Sequence, residues 1–441
     1  MTPVRHRLQA ALAAALGRPL TLDVLRSLAV RVVGMLAALL LYLVLARQLP
    51  VAEFGVYALA LGWLNLLAMV ATLGTDNAAL RFLPQYRVAG ELGLAAGFQR
   101  FATRLSLLVA LPLTLGAIAL AAWRLSPATA QAVAILMLAL PFIALIAQRQ
   151  ALLRVGGRVV AAVLPEQVLR PVATAVIALC IVAVLGALDA RQAAIALLLA
   201  TLVGFVAGSM LLARTDIPWR GSAPREDRPA WLATSLRLGL FSWLYLLLRQ
   251  LDLLLVGALL DAERAAHYAI ATRCADIALF VALAVDVLIA PLVAQRHAQG
   301  DRVQLAALMR RSVQLSAALT LPTALLLVLA SPWLLGLFGA SYVDGQAAFV
   351  VLVAGHALAV CGGYGSYLLT MTGRERAALV ILLCALGVHA TLCVLLIPHF
   401  DLVGAAVACA GGSLAWRLGS AWVAWRSLGV NPLLVGPQVR R

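Results

Sequence analysis

Apolar runs of roughly twenty residues recur along the whole sequence, and each is long enough to cross about 30 Å of hydrocarbon as a helix. No other feature limits the fold so tightly. In a bilayer core there is no water to satisfy backbone N–H and C=O groups, so a helix must bond them within itself. Of the 441 residues 64% are hydrophobic and 12% charged, with a mean hydropathy of +1.00. A water-soluble domain holds nearer half apolar residues and could not bury this excess. The expectation is an all-α integral membrane protein with about twelve transmembrane helices.

Spans are predicted near 24–46, 54–76, 105–123, 131–148, 163–187, 192–213, 235–259, 266–292, 312–331, 347–371, 377–397 and 403–425. The charge between them alternates by side. One set of segments collects most of the arginines, among them Arg81, Arg87, Arg100, Arg104, Arg154, Arg158, Arg220 and Arg225, while the other holds Arg47, Arg124, Arg191 and Arg264. By the positive-inside rule the arginine-rich side is cytoplasmic, both termini included. The net charge of +16 is thereby spent on orienting helices, and nucleic-acid binding is a poor reading of it. The first residues, with Arg5, His6 and Arg7 before LQAALAAAL, predict an interfacial helix on the cytoplasmic face rather than a cleaved leader.

One long stretch, TDIPWRGSAPREDRPAWLA at 215–233, is rich in proline and charge and lies near the middle of the chain. It predicts a six-helix lobe over 1–213, a cytoplasmic linker over 214–233, and a second six-helix lobe with a short cytoplasmic tail over 234–441. An internal echo supports the division: LPVAEFGVYALA at 49–60 resembles LDAERAAHYAIA at 260–271, with Tyr57 matching Tyr268. An even number of spans per lobe brings both into the membrane in the same sense, related by a pseudo-two-fold axis along the membrane normal.

Five arginines fall within the spans: Arg31, Arg170, Arg249, Arg273 and Arg417. Each costs about 2.5–3.5 kcal/mol near a helix centre on insertion scales, so they are expected to face an aqueous cavity or meet acids. Three have acids at helical spacing: Glu166 with Arg170, Arg249 with Asp252, and Arg273 with Asp276. Arg31 has no acidic residue within a turn in sequence. Guanidinium groups in a wet cavity of low dielectric attract anions, and their planar fork suits phosphate oxygens. Asp76 and Asp286 stand apart from these pairs. Each is read either as an ion-coupling carboxylate or as a hydrogen-bonded structural acid. His356 and His389, on apolar helices, read as packed residues before they read as proton relays.

All six cysteines lie inside apolar segments without the close spacing of a metal or disulfide framework, so no metal is expected. No nucleophile constellation or nucleotide-phosphate loop is present either. The longest outside segment, 331–346, holds no cluster of acids or histidines. These patterns argue against a membrane polymerase or ligase, and no cofactor is expected.

The blocks LARQLPVAEFGVYALALGWLNLLAMVATLGTDNAALRFLPQY at 45–86, RQLDLLLVGALLDAERAAHYAIATR at 249–273, LGLFGASYVDGQAAF at 335–349, LLTMTGRERAAL at 368–379 and LIPHFDLVGAAVACAGGSLAWR at 396–417 carry a resemblance. In that order the sequence resembles the Wzx-like polysaccharide flippases of the multidrug/oligosaccharidyl-lipid/polysaccharide (MOP) exporter superfamily. The resemblance implies a bundle that alternates between inward- and outward-open states and flips an undecaprenyl-pyrophosphate-linked oligosaccharide to the periplasmic face of a bacterial inner membrane. It further implies that Arg31 and Arg273, on the first and eighth helices, line the cavity and hold the pyrophosphate; Arg249, read by its depth along its own helix, is a further cation expected along the substrate's path. The implied partners are the lipid-linked oligosaccharide, membrane lipids and other polysaccharide-assembly proteins. AERAAHY lacks the glycine usual before the tyrosine, and His399 and Asp401 are unusual. A drug exporter of the same superfamily is the alternative, and it would favour acidic over basic cavity residues.

Overall fold

The computed structural model describes residues 22–299 and 302–429. The predicted interfacial helix at the start of the chain lies outside these residues. Among them the protein is all-α, with short π and 3-10 turns and no strand. Among the described residues, ten helices are long and apolar enough to cross a membrane, against about twelve expected from sequence. Two features bear on that comparison. The last helix, α16 (Glu375–Leu428), is 54 residues long and is broken at Asp401, whose φ of 53° and ψ of −137° are not helical. Each half is therefore itself about a bilayer long. Helix α11 (Ala262–Ala298, 37 residues) is additional to the ten, and the side chains along much of its second half lie outside the described ones.

By packing the chain falls into two compact units. Of the described residues, one comprises Ala29–Gly257 and Asp261–Ala266; the other holds 22–28, Ala258–Leu260, 267–299 and 302–429. The 214–233 segment thus lies inside the first unit rather than forming a free boundary between two. The reason is visible in its contacts. Helix α3 (Thr75–Val88) and the start of α4 (Leu92–Arg124) bury Phe98, Ala95 and Leu83 completely. Against them pack Trp219 and Trp231 from the segment and from the start of α10 (Arg228–Leu259), 3% and 0% exposed. Trp231 meets Phe98 edge-on at 5.5 Å and donates its indole N–H to the Tyr86 hydroxyl at 2.8 Å. Trp219 donates likewise to Gln99 at 2.7 Å. Burying an indole of this size contributes about 2–3 kcal/mol, and the bonded N–H avoids a desolvation cost. The Arg225 amide donates to the Gly93 carbonyl at 2.9 Å.

One glycine of this unit permits a close backbone approach. Gly74 (φ 76°) follows Leu73 (φ 47°), and these two left-handed residues break α2 (Val51–Thr72) from α3. A Cβ at Gly74 would stand 2.3 Å from the Ser235 carbonyl oxygen and 2.4 Å from the Gly239 nitrogen. No side chain fits there. The sequence echo has a structural counterpart: Tyr57 follows the start of α2, and Tyr268 the start of α11, by the same six residues. They are 1% and 0% exposed.

Other spans are subdivided where proline or glycine interrupts the ladder. The predicted 131–148 span is α5 (Pro127–Met137) followed by α6 (Leu140–Val155), with Pro141 in the first turn of α6. The 347–371 span is α14 (Gln346–Cys361) and α15 (Gly365–Met371), parted at Gly362 and Gly363 (φ 80°).

Candidate functional site

In the first unit the predicted pair Glu166 and Arg170 sits at an irregular turn. Helix α7 (Val159–Leu164) passes into a π turn over Pro165–Leu169 before α8 (Arg170–Leu185) begins. Pro165 has no N–H to donate, and an i→i+5 ladder, uncommon outside functional positions, carries the helix past it. Small residues let neighbouring helices close on this turn. A Cβ on Gly34 of α1 (Leu22–Gln48) would lie 2.9 Å from the Gln167 carbonyl oxygen, and one on Gly204 of α9 (Ala190–Ala213) 3.3 Å from that of Pro165. Arg31, half-buried, lies one turn before Gly34 on α1.

The carboxylate of Glu166 accepts a short hydrogen bond from the Gln150 side-chain amide and faces Arg170 Nη2 at 3.9 Å. Gln150 in turn accepts from Arg154 Nη2 at 3.4 Å. One acid therefore serves a chain that begins and ends in arginine. Arg170 Nη1 and the Tyr57 hydroxyl are buried without a hydrogen-bond partner in the structure, so one side of the guanidinium makes no hydrogen bond. Glu166→Ala is expected to lower stability by about 1–3 kcal/mol, a buried-pair cost reduced because the acid is one-third exposed. The double replacement Glu166→Leu, Arg170→Met should restore most of it, as thermal unfolding in detergent would reveal. A double variant no more stable than Glu166→Ala would deny the pairing.

Asp76 stands just after the break in the second span. Its Oδ1 is buried without a hydrogen-bond partner. Around it Thr75 donates to the Thr72 carbonyl at 2.6 Å, and the buried Gln148 amide donates to Thr75 at 2.6 Å and Ser106 at 3.1 Å. On α10 Asp252 is 1% exposed and Arg249, a turn earlier, is exposed. The side chain of Asp286 lies outside the described ones.

In the second unit α11 supplies Arg273 and Asp276, with Arg273 Nη1 4.0 Å from Asp276 Oδ2. Helix α14 adds His356, whose Nε2 is 4.0 Å from Asp276 Oδ1. Arg417 of α16 meets a carbonyl rather than an acid: its Nη1 donates to Gly363 at 3.0 Å, where the tenth predicted span is broken. Its guanidinium carbon lies 5.9 Å from the Tyr364 ring, and the Tyr364 hydroxyl makes a short hydrogen bond with Ser316.

Sequence spacing pointed to the Glu166–Arg170 and Arg273–Asp276 pairs. It overlooked Gln150 and Gln148, although two glutamines flanking Arg149 in an apolar helix are themselves a signal. His356, expected as a packed residue, is buried but turned toward an acid.

These observations define a class before they define a family: a multi-pass α-helical membrane protein with arginines within the helices of both of its compact units. The chain belongs to the polysaccharide biosynthesis protein family, which matches residues 44–345. No curated protein matches at a significant level. Among solved structures it resembles an inward-facing multidrug resistance MATE family transporter of the MOP superfamily, with a TM-score of 0.73 and 16% identity over 91% of this chain and 98% of that one. It is similar to the lipid II flippase MurJ in an inward closed conformation, with a TM-score of 0.68 and 12% identity over 90% and 86%. A MOP superfamily transporter from Pyrococcus furiosus gives a TM-score of 0.67 and 18% identity over 91% and 95%. The fold is that of these two transporters and of the flippase.

Proposed function

We propose that the protein translocates an undecaprenyl-pyrophosphate-linked oligosaccharide from the cytoplasmic to the periplasmic leaflet of a bacterial inner membrane, by alternating access, for cell-surface polysaccharide assembly. The observation that carries this reading is an arginine within an apolar span that its acid holds only loosely: Arg170 keeps a buried N–H unbonded, with the Glu166 carboxylate 3.9 Å from its other nitrogen. Keeping such groups in hydrocarbon is costly, and an anion meeting a planar, delocalised cation offsets that cost. Arg31 and Arg273 hold the pyrophosphate in this reading, and Arg249 meets it along the path. Family membership supports a role in polysaccharide biosynthesis, and the lipid II flippase supports a lipid-linked substrate in this fold. The Pyrococcus furiosus relative, for which reverse polarity of the binding pocket suggests a different function, supports the idea that pocket charge changes while the helices stay. Both termini are cytoplasmic in this proposal, following the arginine distribution.

Deleting the gene and analysing lipids by leaflet tests it. The expected result is accumulation of pyrophosphate-linked oligosaccharide on the cytoplasmic leaflet, reversed by the intact chain. Normal surface glycan with no accumulation would turn the assignment toward another exported solute.

A further inference from the structure

We propose that Arg149 of α6 is the centre of a lipid-binding site on the first unit, where it holds the phosphodiester of an anionic glycerophospholipid. The site is distinct from the arginines assigned to the substrate path, and it does not depend on what the protein carries. Sequence places Arg149 at the edge of an apolar span, where a cationic side chain ordinarily stretches outward to water. Here it turns the other way. Its Nη1 donates to the Leu145 carbonyl at 3.1 Å, one turn back toward the start of α6 and away from the helix end at Val155. Its Nε donates to the Ser209 hydroxyl of α9 at 2.7 Å, and its Cζ lies 4.0 Å from the centre of the Phe205 ring. Ser209 is held in turn by its bond to the Phe205 carbonyl at 2.7 Å, and Phe205 by an edge-on contact with Phe142 at 5.6 Å.

All of these partners are neutral. Among the described residues no carboxylate pairs with Arg149, and the acid of the neighbouring π turn, Glu166, is bonded to Gln150 and faces Arg170. The charge is therefore fixed in place without a counter-ion. A guanidinium carries five N–H groups in a rigid fork, and only two are used here. Nη2 makes no hydrogen bond within the protein and is not sealed, so an acceptor from outside can reach it. Phosphate oxygens match that fork.

The helix faces beside the guanidinium say where the phosphate comes from. Val203, Val206 and Met210 form an exposed apolar stripe on α9, adjoining Phe205 and Ser209, and the exposed Arg214 continues it one turn after Met210. Both α6 and α9 belong to spans long and apolar enough to cross a membrane. Ser209 stands one turn from the end of α9 at Ala213, about 6 Å along the axis, which is roughly the thickness of one headgroup layer. A free phosphate would have to shed its hydration beside such a surface. A phospholipid brings its phosphate already at this depth, with an acyl chain to cover the stripe. Because Leu145, Ser209 and Phe205 hold the guanidinium in advance, the ligand does not have to order it.

The test uses the full-length chain purified in detergent, with phosphatidylglycerol as the probe and native mass spectrometry as the readout. The wild type is expected to bind phosphatidylglycerol about tenfold more tightly than phosphatidylethanolamine, whose ammonium offsets the phosphate charge. Arg149→Gln should retain one molecule fewer and bind roughly tenfold more weakly. Arg87→Gln removes the same charge from an exposed position on α3 and should bind as the wild type does. Ser209→Ala keeps the cation and releases it from α9, and binding about threefold weaker is expected; this variant carries the test if Arg149→Gln does not fold. Wild-type binding by either Arg149→Gln or Ser209→Ala overturns the site, and an equal loss in Arg87→Gln reduces it to diffuse surface charge. Displacement of the lipid by millimolar inorganic phosphate would overturn the lipid assignment in favour of a free anion, and equal binding of the two phospholipids would overturn the anionic headgroup.

Discussion

Replacing Arg31 or Arg273 with alanine is expected to abolish surface glycan while leaving the protein inserted and folded. A hydrogen bond to a charged group contributes about 1.5–3 kcal/mol, which corresponds to a roughly ten- to hundredfold loss of affinity at each arginine. Both side chains are partly exposed, Arg31 half-buried and Arg273 at 37%, so truncation leaves little unfilled core. The loss should therefore be of transport rather than of fold. Lysine at either position tests the geometry as well as the charge, because a point cation cannot reproduce the bidentate fork; partial rescue is expected. Arg417→Ala provides the contrast. Its guanidinium holds the Gly363 carbonyl at a helix break, and its loss should lower thermal stability more than pyrophosphate binding. Normal glycan display in both Arg31→Ala and Arg273→Ala, at matched protein levels, would remove the basis for an anion path.

Gly97→Val is expected to have the largest effect on stability. A Cβ at Gly97 would stand 1.8 Å from the Arg225 carbonyl oxygen and 3.1 Å from Cη2 of Trp231. The first contact is with backbone, which has no rotamer to escape into, so the segment before α10 must lift. Lifting breaks the bond from the Arg225 amide to Gly93 and draws Trp231 out of its contacts with Phe98, Phe101 and Tyr86. Loss of a packed indole costs about 3–5 kcal/mol, a large share of the 5–15 kcal/mol typical of a domain. Gly116→Ala on the same helix is the control, because nothing lies within 4 Å of a Cβ there. It should be neutral or slightly stabilising, by up to about 1 kcal/mol. Thermal unfolding followed by tryptophan fluorescence would separate the two, and an unshifted Gly97→Val transition would mean that the segment does not dock as described.

The apolar runs made the spans legible because hydrocarbon tolerates little else. The break between the last two spans was legible too: Pro398 and Asp401 separate two runs, and the chain leaves helical geometry at Asp401. Other features were hidden. Residues 77–104 were read as a connection because they carry Arg81, Arg87, Arg100 and Arg104, yet they are almost wholly helical. Charge on an exposed face does not oppose a helix that buries Leu83 and Phe98 on the other. The π turn at Pro165 has no pattern distinct from an ordinary kink. For the candidate site, i,i+3 and i,i+4 spacing revealed the acid beside Arg170 and the one beside Arg273, since both partners lie on one helix. His356 comes from a helix some eighty residues further on, and no local spacing could announce it.

The stitching of 214–233 onto α3 and α4 bears on how the polypeptide is made. Every partner that Trp219, Arg225 and Trp231 require has already left the ribosome when those residues emerge. The early half can accordingly lock its own closing strap during translation, without waiting for the segments that bear Arg273, His356 and Arg417.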